Sequence, residues 1–181
     1  VEKEVLLHCC CAHCAAYTIE HWRSQGYRAS LYWYNPNIHP FTEYNKRLES
    51  MILLARRYDL PLIINDSYDI ASYLNGIIGH EKERCRYCFE LRIGKTAEIA
   101  RRKGFSCFTT TMLISPHQKH TILKEIGQKI ANKTGNNFLY ADLRKRYSES
   151  RHITKPMDYI ASNIAAALQQ VGAIFREQAG R

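Results

Sequence analysis

Four of the seven cysteines and two of the eight histidines fall within His8-Cys9-Cys10-Cys11-Ala12-His13-Cys14. Thiols this dense bind a soft metal, carry redox chemistry, or do both. A second pair lies in Arg84-Cys85-Arg86-Tyr87-Cys88. Cys10, Cys11, Cys14, Cys85 and Cys88 are candidate metal ligands as a group. A structural zinc site would take Cys11 and Cys14 with Cys85 and Cys88 as four closed ligands, leaving Cys10 unexplained. A dithiol redox site needs only two thiols. An iron–sulfur cluster with ligands left for a second metal uses all five. On spacing alone these three readings stay open. His8 and His13 are candidate proton donors, or partners that orient the ligands, although a lone histidine is more often structural. Cys9 and Cys107 read as inert buried thiols. Arg84, Arg86 and Arg92 would offset cluster charge or bind phosphate, unless they are simply a solvated helix face.

The flanking segments say what must position these residues. Val5 to Leu7 reads as a buried strand, and 15–25 as a helix stopped by Gly26. Arg28 to Tyr34 is a second strand by β propensity. It enters the ordered loop Asn35-Pro36-Asn37-Ile38-His39-Pro40. Thr42 is the expected N-cap of a helix with Tyr44, Leu48, Met51, Ile52, Ala55 and Tyr58 on one face. Leu60 to Ile64 is a third strand, followed by a helix near 69–76. The spacing predicts a helix from Arg84 to Lys103, with Cys85, Cys88 and Arg92 on one face. Phe105 to Leu113 reads as a strand. Ser115-Pro116 is expected to open a helix to about Thr134, with Phe138 to Tyr140 a short strand. Ile160, Ile164, Leu168, Val171 and Phe175 mark a last amphipathic helix over 158–178. Alternating strands and helices predict one α/β domain over 1–181, a Rossmann-like layered parallel sheet with flanking helices. Its metal site belongs at the carboxyl ends of the strands, where open α/β sheets bind ligands.

Composition sets the class. The 181 residues are 45% hydrophobic and 24% charged, with no apolar run long enough to suggest a membrane span. No secretory signal is read, so the thiols belong to a reducing cytoplasm rather than to a disulfide framework. The formal charge of +9 favours a polyanionic partner such as nucleic acid. Tyr34 and Tyr68 are candidates to stack on a base.

Several ordered motifs together resemble the cobalamin-independent epoxyqueuosine reductases. His8, Cys10, Cys11, Ala12 and Cys14 match H-x-C-C-A-P-C, with His13 in place of proline. Asn35 to Pro40, then Glu43, Tyr44 and Arg47, match N-P-N-I-x-P and E-Y-x-x-R. Arg84, Cys85, Cys88 and Arg92 match R-C-x-x-C-x-x-x-R. Thr110 to Gln118 is close to T-T-L-L-I-S-P-x-Q, and Asp142-Leu143-Arg144 resembles D-F-R. The match covers about residues 4–156.

The resemblance implies an iron–sulfur oxidoreductase with a 4Fe-4S cluster and an adjacent mononuclear iron, without cobalamin. It implies reduction of epoxyqueuosine at the wobble position of tRNA for Tyr, His, Asn and Asp, fed by an external electron donor. Cys10, Cys11, Cys85 and Cys88 are then cofactor ligands. Tyr34, Asn35, Asn37, Arg47, Tyr68, Arg84, Arg92 and Arg144 are candidate tRNA contacts. The chain departs from the family at Tyr159 to Ile164, which stand where members carry Y-R-Q-x-Y-C-G-C and contain no cysteine. The competing expectations are a zinc-stabilised RNA-binding module and a family member that binds tRNA without turnover. An ATP-dependent tRNA-thiolation enzyme would need a Gly/Ser-rich phosphate loop where this chain has cysteines.

Overall fold

The protein is described by a computed structural model covering residues 3–65 and 67–155. The last helix expected over 158–178 lies outside the described residues. Strand β1 (Lys3–Cys9) leads to α1 (Ala12–Ser24), β2 (Tyr27–Trp33), α2 (Phe41–Tyr58) and β3 (Leu62–Ile64). Then come α3 (Ile70–Ile77), α4 (Arg84–Arg102), β4 (Cys107–Thr110), α5 (His120–Thr134), β5 (Asn137–Phe138) and α6 (Tyr147–Thr154). All pairings are parallel, and the strand order is β3-β2-β1-β4-β5. This is the expected layered parallel α/β sheet.

The order has a consequence for function. The chain builds outward from β1 through β2 to β3, then returns to the other side of β1 as β4. Right-handed crossovers put helices on opposite faces of the sheet when the direction reverses. Val5, Leu7 and Cys9 of β1 accordingly pack among residues of α1 and α2, such as Ile19, Met51 and Leu54. Leu6 packs among Phe89 and Ile93 of α4 and Leu123 and Ile126 of α5. Strand periodicity of two divides neighbouring residues between two cores in this way. The crevice of such a sheet lies where the direction reverses, outside the ends of β1 and β4.

Several boundaries differ from expectation. Helix α1 begins at Ala12, inside the cysteine cluster, with Cys11 as its N-cap. Helix α2 is preceded by Pro40 rather than capped by the Thr42 side chain. The strand expected to reach Leu113 ends at Thr110, and Thr111–Ile114 form a tight 3₁₀ turn. That turn breaks the strand because Thr110 Oγ1 accepts from the Met112 N–H. Helix α5 starts at His120, not at Ser115-Pro116, after Gln118 N–H has closed a turn onto the Ser115 carbonyl. Strand β5 stops at Phe138, short of Tyr140. Helix α6 has no counterpart among the expected elements.

Candidate metal centre

Cys10 follows the end of β1, and Thr111 follows the end of β4, so the crevice opens between them. The two residues grip each other. The Cys10 amide donates to Thr111 Oγ1 at 3.1 Å, and the Thr111 hydroxyl donates to Cys10 Sγ at 3.2 Å. Cys11 accepts from the Cys14 amide through its sulfur at 3.4 Å, in the first turn of α1. The sulfurs of Cys10, Cys11 and Cys14 lie within 4.8 Å of one another and are buried with Ile114 and Leu143. Among the described residues this group has the donor type and spacing of a metal site.

The three thiols do not share charge equally. Hydrogen bonds from Cys11 and Cys14 hold Cys10 well below its ordinary range, helped by Arg92 and Thr111 and opposed by burial. The same hydrogen bonds push Cys11 up to about 12 and raise Cys14 well above the usual thiol value. These hydrogen bonds favour the thiolate at Cys10 and disfavour it at Cys11 and Cys14. A metal must displace the remaining protons to take all three sulfurs.

Arg92 connects the second cysteine motif to this loop. It is 4% exposed, yet burial does not neutralise it, because Cys88 and Cys10 hold its charge. Its Nη1 donates to Cys88 Sγ at 3.5 Å, one helical turn back on α4. Its Nη2 donates to Asn35 Oδ1 at 3.1 Å, and Asn35 Nδ2 donates to the Cys9 carbonyl at 2.8 Å. Arg92 Nε is buried with no partner among the described residues. A buried cation needs a compensating anion, and the sulfur groups are what surrounds this one. That orphaned donor and the thiol-rich set fit an anionic metal–sulfur centre. Cys85 and Cys88 stand outside the 4.8 Å group, half-buried on α4.

The other expected site residues fall into distinct places. His8 is fully buried, and its Nε2 lies 3.1 Å from the Tyr34 carbonyl. A carbonyl only accepts, so Nε2 carries the proton. Nδ1 then accepts from the Thr110 hydroxyl at 2.9 Å. Desolvation, followed by Arg92, lowers His8 to about 3. It is a neutral tie between the ends of β1, β2 and β4. His13 turns its Nδ1 to Thr154 of α6. Arg47 is buried against Glu43 at 2.6 Å, close enough to Cys11 to favour its thiolate. Tyr34 stacks on Tyr32, while Tyr68 packs against Tyr44 and Phe41. Asn37 Oδ1 is buried without a partner among the described residues. Arg84 is exposed at the start of α4. Arg144 is exposed and clamped on Asp142 through two bonds of 2.8 and 2.5 Å.

Three contributors went unrecognised in the sequence. Thr110 and Thr111 sit in a quoted motif, but their role depends on β4 lying beside β1, which spacing does not reveal. Tyr147 packs on the thiol group from α6, and burial followed by the nearby Cys14 raises its hydroxyl pKa.

Residues 5–161 match the family model described as epoxyqueuosine reductase QueH. The chain belongs to the QueH family. An epoxyqueuosine reductase QueH of Dehalococcoides mccartyi is 49% identical over 155 residues, covering 86% of this chain and 85% of that protein. A QueH of Thermotoga maritima is 31% identical over 168 residues, covering 88% and 85%. Among solved structures, a predicted subunit of tRNA methyltransferase from Methanocaldococcus jannaschii aligns with a TM-score of 0.57. At 14% identity, over 85% of this chain and 76% of that one, it shares the fold alone. The QueH membership fits what the residues already display: Cys10, Cys11 and Cys14 gather at the switch-point crevice. No described helix is long and apolar enough to cross a membrane.

Proposed function

We propose that this QueH member reduces the epoxide of epoxyqueuosine at the wobble position of tRNA, giving the alkene of queuosine. The observation that carries the reading is the buried Cys10, Cys11 and Cys14 group at the β1/β4 crevice, faced by the buried charge of Arg92. Cys10, Cys11 and Cys14, with Cys85 and Cys88 from α4, would hold a 4Fe-4S cluster and an adjacent iron, without cobalamin. Such a centre supplies electrons one at a time and a Lewis acid.

The chain supplies the rest. Balance requires two electrons, two protons and departure of the oxygen as water. Arg92 stabilises the accumulated negative charge of the thiolate ligands. Thr111 and Asn35 fix the loop that carries Cys9 to Cys11. His8, tied at both ring nitrogens, positions the strand ends. His13, half-buried beside the thiols on α1, is the better candidate to pass a proton. RNA loops expose unstacked bases that can enter a crevice. The substrates are tRNAs for Tyr, His, Asn and Asp, and a cytoplasmic reductant reloads the centre.

The test is iron, acid-labile sulfide and zinc per chain after anaerobic purification and reconstitution, followed by turnover of epoxyqueuosine-containing tRNA with a chemical reductant. About four sulfides with four or five irons and cobalamin-free turnover are expected. Zinc alone, with no sulfide after reconstitution, sinks the reading in favour of a zinc-stabilised RNA-binding module. A loaded cluster with tRNA binding and no turnover would instead make the chain a non-catalytic member.

A further inference from the structure

Between Arg144 and Lys155 the chain carries five cations, Arg144, Lys145, Arg146, Arg151 and Lys155, against one carboxylate, Glu149. The segment comprises a 3₁₀ turn and α6. It does not pack as an ordinary solvated helix far from the site. Tyr147 from this segment and Tyr17 from α1 both pack against the cluster that Cys10, Cys11 and Cys14 form with Ile114 and Leu143. Arg146 stands 5.9 Å over the Tyr17 ring, and Arg151 stands 5.7 Å over the Tyr147 ring. Both arginines are exposed. His117 meets Tyr147 edge-on at 6.1 Å and closes the same rim.

The segment is held rigidly in place. The Ser150 hydroxyl accepts from the Tyr17 amide at 2.9 Å and donates to the His13 carbonyl. These two groups are one rung of the α1 ladder, so α6 is keyed into the helix that carries Cys14. Thr154 makes a second tie to His13.

We infer that the Arg146/Tyr17 and Arg151/Tyr147 pairs form the docking rim for a single-stranded RNA loop, seating its phosphates and one base at the mouth of the thiol crevice. An exposed guanidinium lying over a ring offers a stacking plane and a charge together, which suits unstacked bases on a phosphate chain. Charge complementarity favours a polyanion, and the aromatic planes favour one with bases. The inference rests on the tRNA reading and adds the surface that reading lacked. Arg84, Arg92 and Arg144 do not fill this role equally: Arg92 is buried, and Arg144 is clamped on Asp142 through both Nε and Nη2, whereas exposed Arg146 meets Glu149 through Nη1 at 3.1 Å.

The test uses the anaerobically reconstituted chain and measures binding of epoxyqueuosine-containing tRNA, and of its isolated anticodon stem-loop, across a salt series. The double variant Arg146→Gln/Arg151→Gln is expected to bind at least tenfold more weakly. Its slope of log K against log salt should fall by roughly 1.4–1.8, the loss of two phosphate contacts. Tyr147→Leu keeps apolar packing and removes the plane, so it should weaken binding roughly 5–150-fold at an unchanged slope. Iron, sulfide and melting temperature of the arginine variant should match the parent protein. Arg101→Gln/Arg102→Gln, at the other end of the strands, should change neither slope nor affinity by as much. If the parent protein binds the stem-loop and the Arg146/Arg151 variant binds with the same slope and affinity, the rim is wrong and the tRNA reading stands. If the parent protein itself shows no salt-dependent tRNA binding, the substrate reading fails first. Polyphosphate binding as tight as the stem-loop's would overturn the base-stacking element.

Discussion

Arg92 shows how one side chain couples two motifs that lie far apart in sequence. It reaches Cys88 by helical spacing and the Cys9–Cys11 loop through Asn35. The i, i+4 relation of Cys88 and Arg92 was readable from R-C-x-x-C-x-x-x-R; the anion that balances the charge was not. As a surface residue it would have been a phosphate ligand; at 4% exposure it faces sulfur instead. Replacing such a supporting residue typically costs about 10–100-fold in metal affinity. Arg92→Met is expected to retain iron that much less well in a chelator competition and to lower the midpoint potential. Arg92→Lys keeps a charge but not the two-way fork, so it should restore the potential better than the retention. Unchanged potential and retention in both variants would mean that the charge is balanced elsewhere. Asn35→Ala removes the other half of this link. It should cost roughly 1–3 kcal/mol in chemical denaturation, since the buried Cys9 carbonyl and an Arg92 donor each lose a partner.

Two close fits show how the elements are locked. Gly127 of α5 faces Phe138 of β5, and a Cβ there would lie 2.2 Å from the ring. Alanine adds about 1 kcal/mol of helix propensity, but overpacking a buried ring costs typically 1–3 kcal/mol. Phe138 is 7% exposed and packs against Phe108, so it has nowhere to swing. Gly127→Ala is therefore expected to lower the melting temperature, although an exposed helical glycine would gain from the same change. Ser150 is the second fit. Ser150→Ala removes its bridge between α1 and α6, costing about 1 kcal/mol, or roughly 2–4 °C for a domain of this size. The measurement is thermal unfolding by circular dichroism, and no change would mean that α6 is held by its other contacts. Long periodic helices such as α2 and α4 were legible because one apolar face dictates them. Helix α6 was not, because it is eight residues long and is fixed by hydroxyl bonds to α1 rather than by a stripe. The helix expected at Ser115 failed for a related reason: Ser115-Pro116 supplies turn chemistry, and regular helix begins only at His120.

At the scale of the whole molecule, alternating strands and helices fixed the class but not the neighbours of β1. The sheet order β3-β2-β1-β4-β5 makes β4 that neighbour and brings Thr110 and Thr111 to His8 and Cys10 across about a hundred residues. Three strand ends and the first turn of α1 therefore share one thiol group. A metal held there together with Cys85 and Cys88 would join the β1–α1 turn to α4, and it would bind the native state far better than an unfolded chain can. At a free concentration a hundredfold above Kd this adds about 2.7 kcal/mol, or roughly 5–10 °C. Anaerobic removal by a chelator, with thiols kept reduced, is expected to lower the melting temperature by that amount. Hydrogen exchange should quicken at residues 8–14 and 110–114, while Leu62–Ile64 at the far edge stays as it was. A melting temperature indifferent to chelation, with unchanged exchange at the crevice, would show that the three thiols hold no metal.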